Sequence, residues 1–146
     1  MSTFVHTYLS DGTTQVSVHG KIDERFDERA LRGLLRGNRL VLDLSQVTGI
    51  TSMGLQAFTR CIDGIKRSQV VFVDVSPVLA RQLCILPGLF SAVRIESARL
   101  PFSCPRCGDE RDHTVPFERG AADRHAPCCS CGTPMELDGV AEQFLP

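Results

Sequence analysis

The 146-residue sequence has almost no net charge and no long apolar run. Its 16 Lys and Arg residues nearly balance its 17 Asp and Glu residues, which leaves a formal net charge of −1 at pH 7. Such a chain lacks the cationic surface that attracts nucleic acid or an anionic membrane. No segment approaches the roughly 18 apolar residues of a membrane-spanning helix. We therefore expect neither a nucleic-acid partner nor a membrane span.

A secretory leader and a catalytic motif are also missing. The N-terminal stretch MSTFVHTYLSDG has neither the basic start nor the apolar core of a signal peptide, so we expect a cytoplasmic protein. The chain contains no phosphate-binding P-loop and no Ser-His-Asp arrangement in a known motif context. The sequence therefore predicts a binding protein and not an enzyme.

Residues 1 to about 100 alternate between strand patterns and helix patterns. The stretches TFVHTYL and TTQVSVHG flank the turn residues SDG and predict a hairpin. Later strands are predicted at RLVLDL, QVVFVDV and AVRIES, and helices at DERALRGLLRGN, SMGLQAFTRCIDGIKRS and SPVLARQLCIL. The order β-β-α-β-α-β-α-β predicts an α/β fold, in which a mixed sheet begins with the hairpin and continues with mostly parallel strands that carry packed helices.

The sequence of each helical segment also predicts which residue precedes the helix as its N-cap and which residues face the core. Ser52 is the predicted N-cap of the second helix, and Ser76, followed by Pro77, is that of the third. The first helix is expected to bury Ala30, Leu31, Leu34 and Leu35, and the second Leu55, Phe58, Ile62 and Ile65, with Lys66 and Arg67 in its last turn.

Five of the seven cysteines lie between residues 104 and 131, in the pattern CPRCG, twenty residues, CCSCG. The two C-x-x-C pairs, each followed by Gly, predict a tetrahedral zinc site with Cys104, Cys107, Cys128 and Cys131 as ligands. Four thiolates leave no open position for a catalytic water, so the Zn²⁺ is expected to be structural. Cys129 is expected to stay outside the site, and His113 and His125 are reserve ligands or surface residues.

Residues 101–146 are predicted to form a zinc-ribbon-like module that follows a first domain of residues 1–98. This segment contains few large apolar side chains, so metal binding would supply part of its folding free energy. It carries four Arg and no Lys against eight Asp and Glu residues. An acidic surface repels phosphates, so we expect a structural or protein-facing role for this module.

The stretch VHGKID…VLDLSQVTGITSMGLQAF…VVFVDVSP…LPGLF resembles the STAS domain, which is named for sulfate transporters and anti-sigma factor antagonists. The resemblance covers roughly residues 5–98. Its motif positions are Gly20, Ile22 and Asp23, then Asp43, Leu44 and Ser45, then Thr51 to Leu55, and finally Gly88 and Leu89.

The resemblance implies a regulatory role for the start of the second helix. In the antagonists the Ser that follows an acidic residue is phosphorylated, and that position is Ser52 here. The implied partners are an ATP-dependent serine kinase that acts as an anti-sigma factor, and a phosphatase. Candidate docking residues are Asp23, Thr51, Met53 and Gly54, although Asp23 also suits a solvated turn.

Two departures from the family pattern support an alternative role. Thr51 replaces the usual acidic residue, and Met53 replaces Ser or Thr. Both favour a scaffold or adaptor of a signalling or transport complex that works without phosphorylation. Ser52 would then be only a helix cap, a role that contributes about 1 kcal/mol. The sequence does not predict the oligomeric state.

Overall fold

A computed structural model describes residues 2–65, 69–123 and 126–146. Lys66 and Arg67, predicted in the last turn of the second helix, and the reserve ligand His125 lie outside these ranges. In the described residues the strands are β1 (Thr3–Tyr8), β2 (Thr13–Ile22), β3 (Arg39–Asp43), β4 (Val47–Ile50), β5 (Gln69–Val73), β6 (Arg94–Ile95), β7 (Ser97–Ser103), β8 (Glu110–Pro116) and β9 (Glu136–Leu137). The helices are α1 (Glu28–Leu34), α2 (Ser52–Asp63) and α3 (Pro77–Ile85), with two 3-10 turns at Ala121–Asp123 and Ala141–Gln143.

The first sheet has the strand order β1-β2-β3-β5-β6. β1 is antiparallel to β2, and the later strands pair in parallel, so the predicted hairpin and mixed sheet are confirmed. β4 was not predicted, because four residues with only two large apolar side chains carry a weak strand signal. It pairs with the last part of β2, from Gly20 to Ile22, and its own end leads directly into α2.

The helices cover one face of this sheet. Alternate residues of the strands, among them Val16, Leu40 and Phe72, are buried against α1, α2 and α3. Phe58 of α2 contacts Phe72 and Phe90, with ring centroids 5.9 and 5.5 Å apart. This aromatic contact fixes α2 on the sheet and therefore fixes the position of its first turn.

The first helix is shorter than predicted, which changes its buried face. Asp27 caps it by accepting a hydrogen bond from the Ala30 N–H at 2.9 Å. Leu31 is fully buried, and Leu34 and Leu35 are half-buried, but Ala30 is exposed, contrary to the prediction. A helix of seven residues makes only about two turns, so it presents one central side chain to the core.

β7 joins the first sheet to the C-terminal segment. It pairs with β8 and β9 in a second, antiparallel sheet, and it bridges to the first sheet through Val75 and Ala98. The Thr114 hydroxyl also donates a hydrogen bond to the Asp74 carboxylate at 3.0 Å. The division into units of residues 1–98 and 101–146 remains a prediction, and β7 runs across the proposed boundary.

Candidate functional site

The first turn of α2 is capped by Thr51, so the prediction that Ser52 is the N-cap is wrong. Thr51 has an extended backbone, and its side-chain Oγ1 accepts a hydrogen bond from the Gly54 N–H at 3.1 Å. Ser52 is the first helical residue. The sequence offers two adjacent hydroxyl residues, and the end of β4 at Ile50 decides which of them is the cap.

Thr51 already caps the helix, and the Ser52 hydroxyl makes no hydrogen bond within the described part of the chain. Ser52 is exposed, and so is Met53, which keeps 66% of its surface accessible. Within the described ranges, no acceptor contacts the N–H groups of Ser52 and Met53, and no acidic residue lies in the first turn. A helix N-terminus with unused N–H groups is well suited to an added phosphate.

Gly54 brings α2 into close contact with the end of β2. A Cβ atom at this position would lie 2.0 Å from the Ile22 carbonyl oxygen and 2.6 Å from the Asp23 nitrogen. The Thr51 N–H also donates to the Ile22 carbonyl at 3.0 Å. The structure therefore places the Asp23 backbone beside the first turn of α2, next to the other candidate docking residues.

The Asp23 side chain forms a turn. Its Oδ1 accepts a hydrogen bond from the Arg25 N–H at 2.9 Å, and Asp43 makes the corresponding contact with Ser45, also at 2.9 Å. The side chain of Asp23 thus stabilises a turn, and the backbone of Asp23 lies beside α2. The role of Asp23 in docking stays a prediction.

An apolar groove of about 480 Å³ runs from Ser52 along α2 to the end of α3. It is lined by Ser52, Leu55, Gln56, Thr59, Arg60, Gln82, Leu86 and Leu89. The sequence patterns did not predict this groove, because it depends on the distance between two helices. Leu55, predicted to be buried, is only half-buried in the structure and lines this groove.

The change in cap assignment gives a direct prediction. Replacing Thr51 with Ala should lower the free energy of unfolding by about 1 kcal/mol, because it removes the cap hydrogen bond. Replacing the exposed Ser52 with Ala should change it by less than about 0.5 kcal/mol. Urea denaturation of the two variants tests this; a larger loss for Ser52→Ala than for Thr51→Ala would contradict the cap assignment.

The four predicted ligand cysteines come together beyond the end of β7. The Sγ atoms of Cys104, Cys107, Cys128 and Cys131 all lie within 4.8 Å of one another. Two of the Sγ–Sγ distances, Cys104–Cys131 and Cys107–Cys128, are 3.5 Å. Sulfurs at about 2.3 Å from a tetrahedral ion would be about 3.8 Å apart, so the four thiols fit one metal ion.

Each C-x-x-C pair forms a knuckle that ends in glycine. The Gly108 N–H donates to the Cys104 carbonyl at 3.0 Å, and the Gly132 N–H donates to the Cys128 carbonyl at 2.8 Å. Both glycines have positive φ values, of 76° and 74°. Other residues rarely adopt this conformation, which explains why glycine follows each pair.

Hydrogen bonds lower the pKa of two of these thiols. Hydrogen bonding with Thr133 lowers the pKa of Cys131 to about 6, and the Ser130 N–H lowers the pKa of Cys128. The Asp109 N–H lowers the pKa of Cys107, but hydrogen bonds to the sulfurs of Cys128 and Cys104 raise it to about 12. Formation of a thiolate at Cys107 therefore needs a nearby positive charge, which a bound metal ion would supply.

The remaining cysteines and His113 lie outside this cluster. Cys129 is exposed and does not belong to the group of four thiols, in agreement with its predicted place outside the site. The Nε2 atom of His113 lies 3.4 Å from the Met135 sulfur, so its ring does not face the four thiols. Cys61 is buried in α2, where desolvation raises its pKa to about 11, and it is therefore an unreactive core residue.

No helix in the described ranges has the length and apolar character that crossing a membrane requires.

Comparison with known proteins agrees with this geometry. A search of curated proteins finds no match to the chain. The family model of the STAS domain matches residues 6–97, which is more than half of the chain. The matched region includes α2 and the strands that precede and follow it, β4 and β5. The four-cysteine cluster lies beyond the matched residues and is an addition to the domain. The chain belongs to the STAS domain family.

Proposed function

We propose that this protein is a regulatory binding module whose partner leaves when Ser52 is phosphorylated. The docking surface consists of Asp23, Thr51, Met53 and Gly54. STAS domains generally serve as regulatory or protein-binding modules. The observation that carries the proposal is an exposed Ser52 hydroxyl that the helix does not need as a cap.

The geometry supports a switch that acts through charge. A phosphate on Ser52 would add about −1.5 to −2 charges. It would stand next to Met53, the most exposed of the large apolar side chains described, and at one end of the groove along α2. An apolar partner surface that covers Met53 would have to desolvate this charge, so phosphorylation would weaken the complex without unfolding the domain.

The proposed partners follow the family pattern. They are an ATP-dependent serine kinase that acts as an anti-sigma factor, and a phosphatase that restores the hydroxyl. Because these reactions use cellular ATP, we place the protein in the cytoplasm. The four-cysteine cluster is proposed to hold one structural Zn²⁺, and its acidic surroundings argue against nucleic acid as a partner.

A scaffold or adaptor that works without phosphorylation is the second candidate. It is supported by Thr51, which stands where antagonists of the family carry an acidic residue, and which here is fully engaged as a cap. In this case the docking surface and groove would bind a partner permanently. The two candidates differ in one property, the effect of charge at Ser52.

The first experiment locates the phosphate. The wild-type chain and Ser52→Ala are incubated with ATP and an extract of the source cells, and phosphopeptides are mapped by mass spectrometry. We expect one phosphate on the wild-type peptide that contains Ser52, and none on the corresponding peptide of Ser52→Ala. A wild-type chain that remains unmodified at Ser52 while a known substrate in the same extract is phosphorylated would favour the scaffold.

A further inference from the structure

A second cavity, of about 530 Å³, lies between α3 and the C-terminal residues. Its floor is apolar: Leu83 and Leu145 are buried, and Cys84, Ile95 and Phe117 are half-buried. Pockets for small molecules usually have volumes of about 300–1,000 Å³, apolar linings and positions between structural units. This cavity has all three properties.

The cavity keeps its shape because the C-terminal residues pack against α3. Phe144 and Leu145 are buried, and the Arg81 guanidinium lies over the Phe144 ring, 5.3 Å from its centroid. The 3-10 turn Ala141–Gln143 thus forms one wall, and α3, which it contacts, forms another.

The rim of the cavity carries three charged side chains, Arg119, Asp123 and Glu142. All three are exposed, and none of the salt bridges in the described ranges involves them. Among the described residues that line the cavity, two carboxylates against one guanidinium give a formal charge of −1. An apolar floor below an anionic rim complements a molecule with an apolar body and a cationic head.

We propose that this cavity binds a small amphiphilic ammonium compound. Its apolar chain lies on the floor between Leu83, Ile95 and Phe117, and its ammonium group lies between Asp123 and Glu142. The site is separate from the docking surface, and Leu89 is the single described residue that lines both the cavity and the groove along α2. The proposal therefore does not depend on phosphorylation of Ser52.

Three probes of equal chain length test the charge preference. Octylammonium, octanol and octanoate are titrated below their aggregation concentrations into the full-length, metal-loaded protein at pH 7, and heats of binding are measured. We expect octylammonium to bind most tightly and octanoate most weakly. Absence of octylammonium binding, or octanol or octanoate affinity equal to or above it, would overturn the proposal.

Substitutions at the rim test the site. The double variant D123N/E142Q should bind octylammonium about threefold more weakly or worse, since each exposed charge pair contributes modestly, and its octanol affinity should stay the same. Asp112→Asn removes an exposed carboxylate on β8, outside the cavity, and should have no effect. Equal octylammonium affinity in the wild type and the double variant would show that these carboxylates do not bind the head group.

The Cys84 thiol reports occupancy directly. It lines the cavity, whereas Cys129 is exposed outside it and serves as an internal control. Peptide mass spectrometry after limited alkylation should show that octylammonium slows modification of Cys84 and leaves that of Cys129 unchanged. Equal rates at Cys84 with and without a saturating probe would mean that the compound binds elsewhere.

Discussion

Replacing Gly54 with Ala should destabilise the domain by about 3–5 kcal/mol, which is a large effect for the addition of one methyl group. The added Cβ would lie 2.0 Å from the Ile22 carbonyl oxygen, where it meets backbone and not a movable side chain. The first turn of α2 would therefore have to move away from the end of β2. Such a shift would weaken the hydrogen bond from the Thr51 N–H to the Ile22 carbonyl.

Gly33→Ala is the matched control for this prediction. Gly33 also lies in a helix, and a Cβ there meets nothing within 4 Å. It should stabilise the protein by about 0.5–1 kcal/mol, because alanine is the better helix former. Urea unfolding of both variants gives the comparison. Equal stability of Gly54→Ala and the wild type would contradict the close packing of α2 against β2, on which the shape of the docking surface depends.

Removing the metal should unfold the C-terminal segment while the first sheet stays folded. Binding of structural zinc by four thiolates contributes on the order of 10 kcal/mol of folding free energy. Cys104→Ser removes one of the two buried ligands, and Cys129→Ser, at an exposed non-ligand, is its control. Wild type and Cys129→Ser should each contain one zinc per chain, and Cys104→Ser should contain little.

Hydrogen exchange locates the consequence of the lost metal. In Cys104→Ser we expect β8 and β9 to lose protection, and β1 to β5 to keep it at a lower overall stability. The loss of stability follows from the contacts that Thr114 and Phe144 make with Asp74 and Arg81. Retained protection of β8 in a metal-free Cys104→Ser variant would show that the segment folds without the ion.

Sequence patterns predicted those features that depend on neighbouring residues. The hairpin of β1 and β2 follows from alternation around a turn, and the cysteine knuckles follow from a three-residue spacing and a glycine. The cap of α2 could not be predicted in the same way. Thr51 and Ser52 are both good caps, and the choice depends on where β4 ends, which in turn depends on its pairing with β2.

Long-range packing accounts for what the sequence did not predict. β8 and β9 pair with β7 across loops that contain the cysteines, and β8 exposes most of its residues, so its apolar alternation is faint. The groove beside Ser52 and the cavity beside Cys84 are spaces between α3 and its neighbours. Spaces of this kind have no local sequence pattern, even though apolar side chains line them.

The proposed switch is tested by measuring how much partner the protein retains with and without charge at Ser52. Immobilised wild type, Ser52→Asp, Ser52-phosphorylated chain and Ser10→Asp are exposed to the same cell extract, and bound proteins are quantified. Ser10 is an exposed residue of the β1–β2 turn, at the opposite end of β2 from α2, and controls for added charge. We predict a kinase-containing partner that wild type and Ser10→Asp retain equally, and that Ser52→Asp and the phosphorylated chain lose at least tenfold. Equal retention by all four chains would contradict the switch.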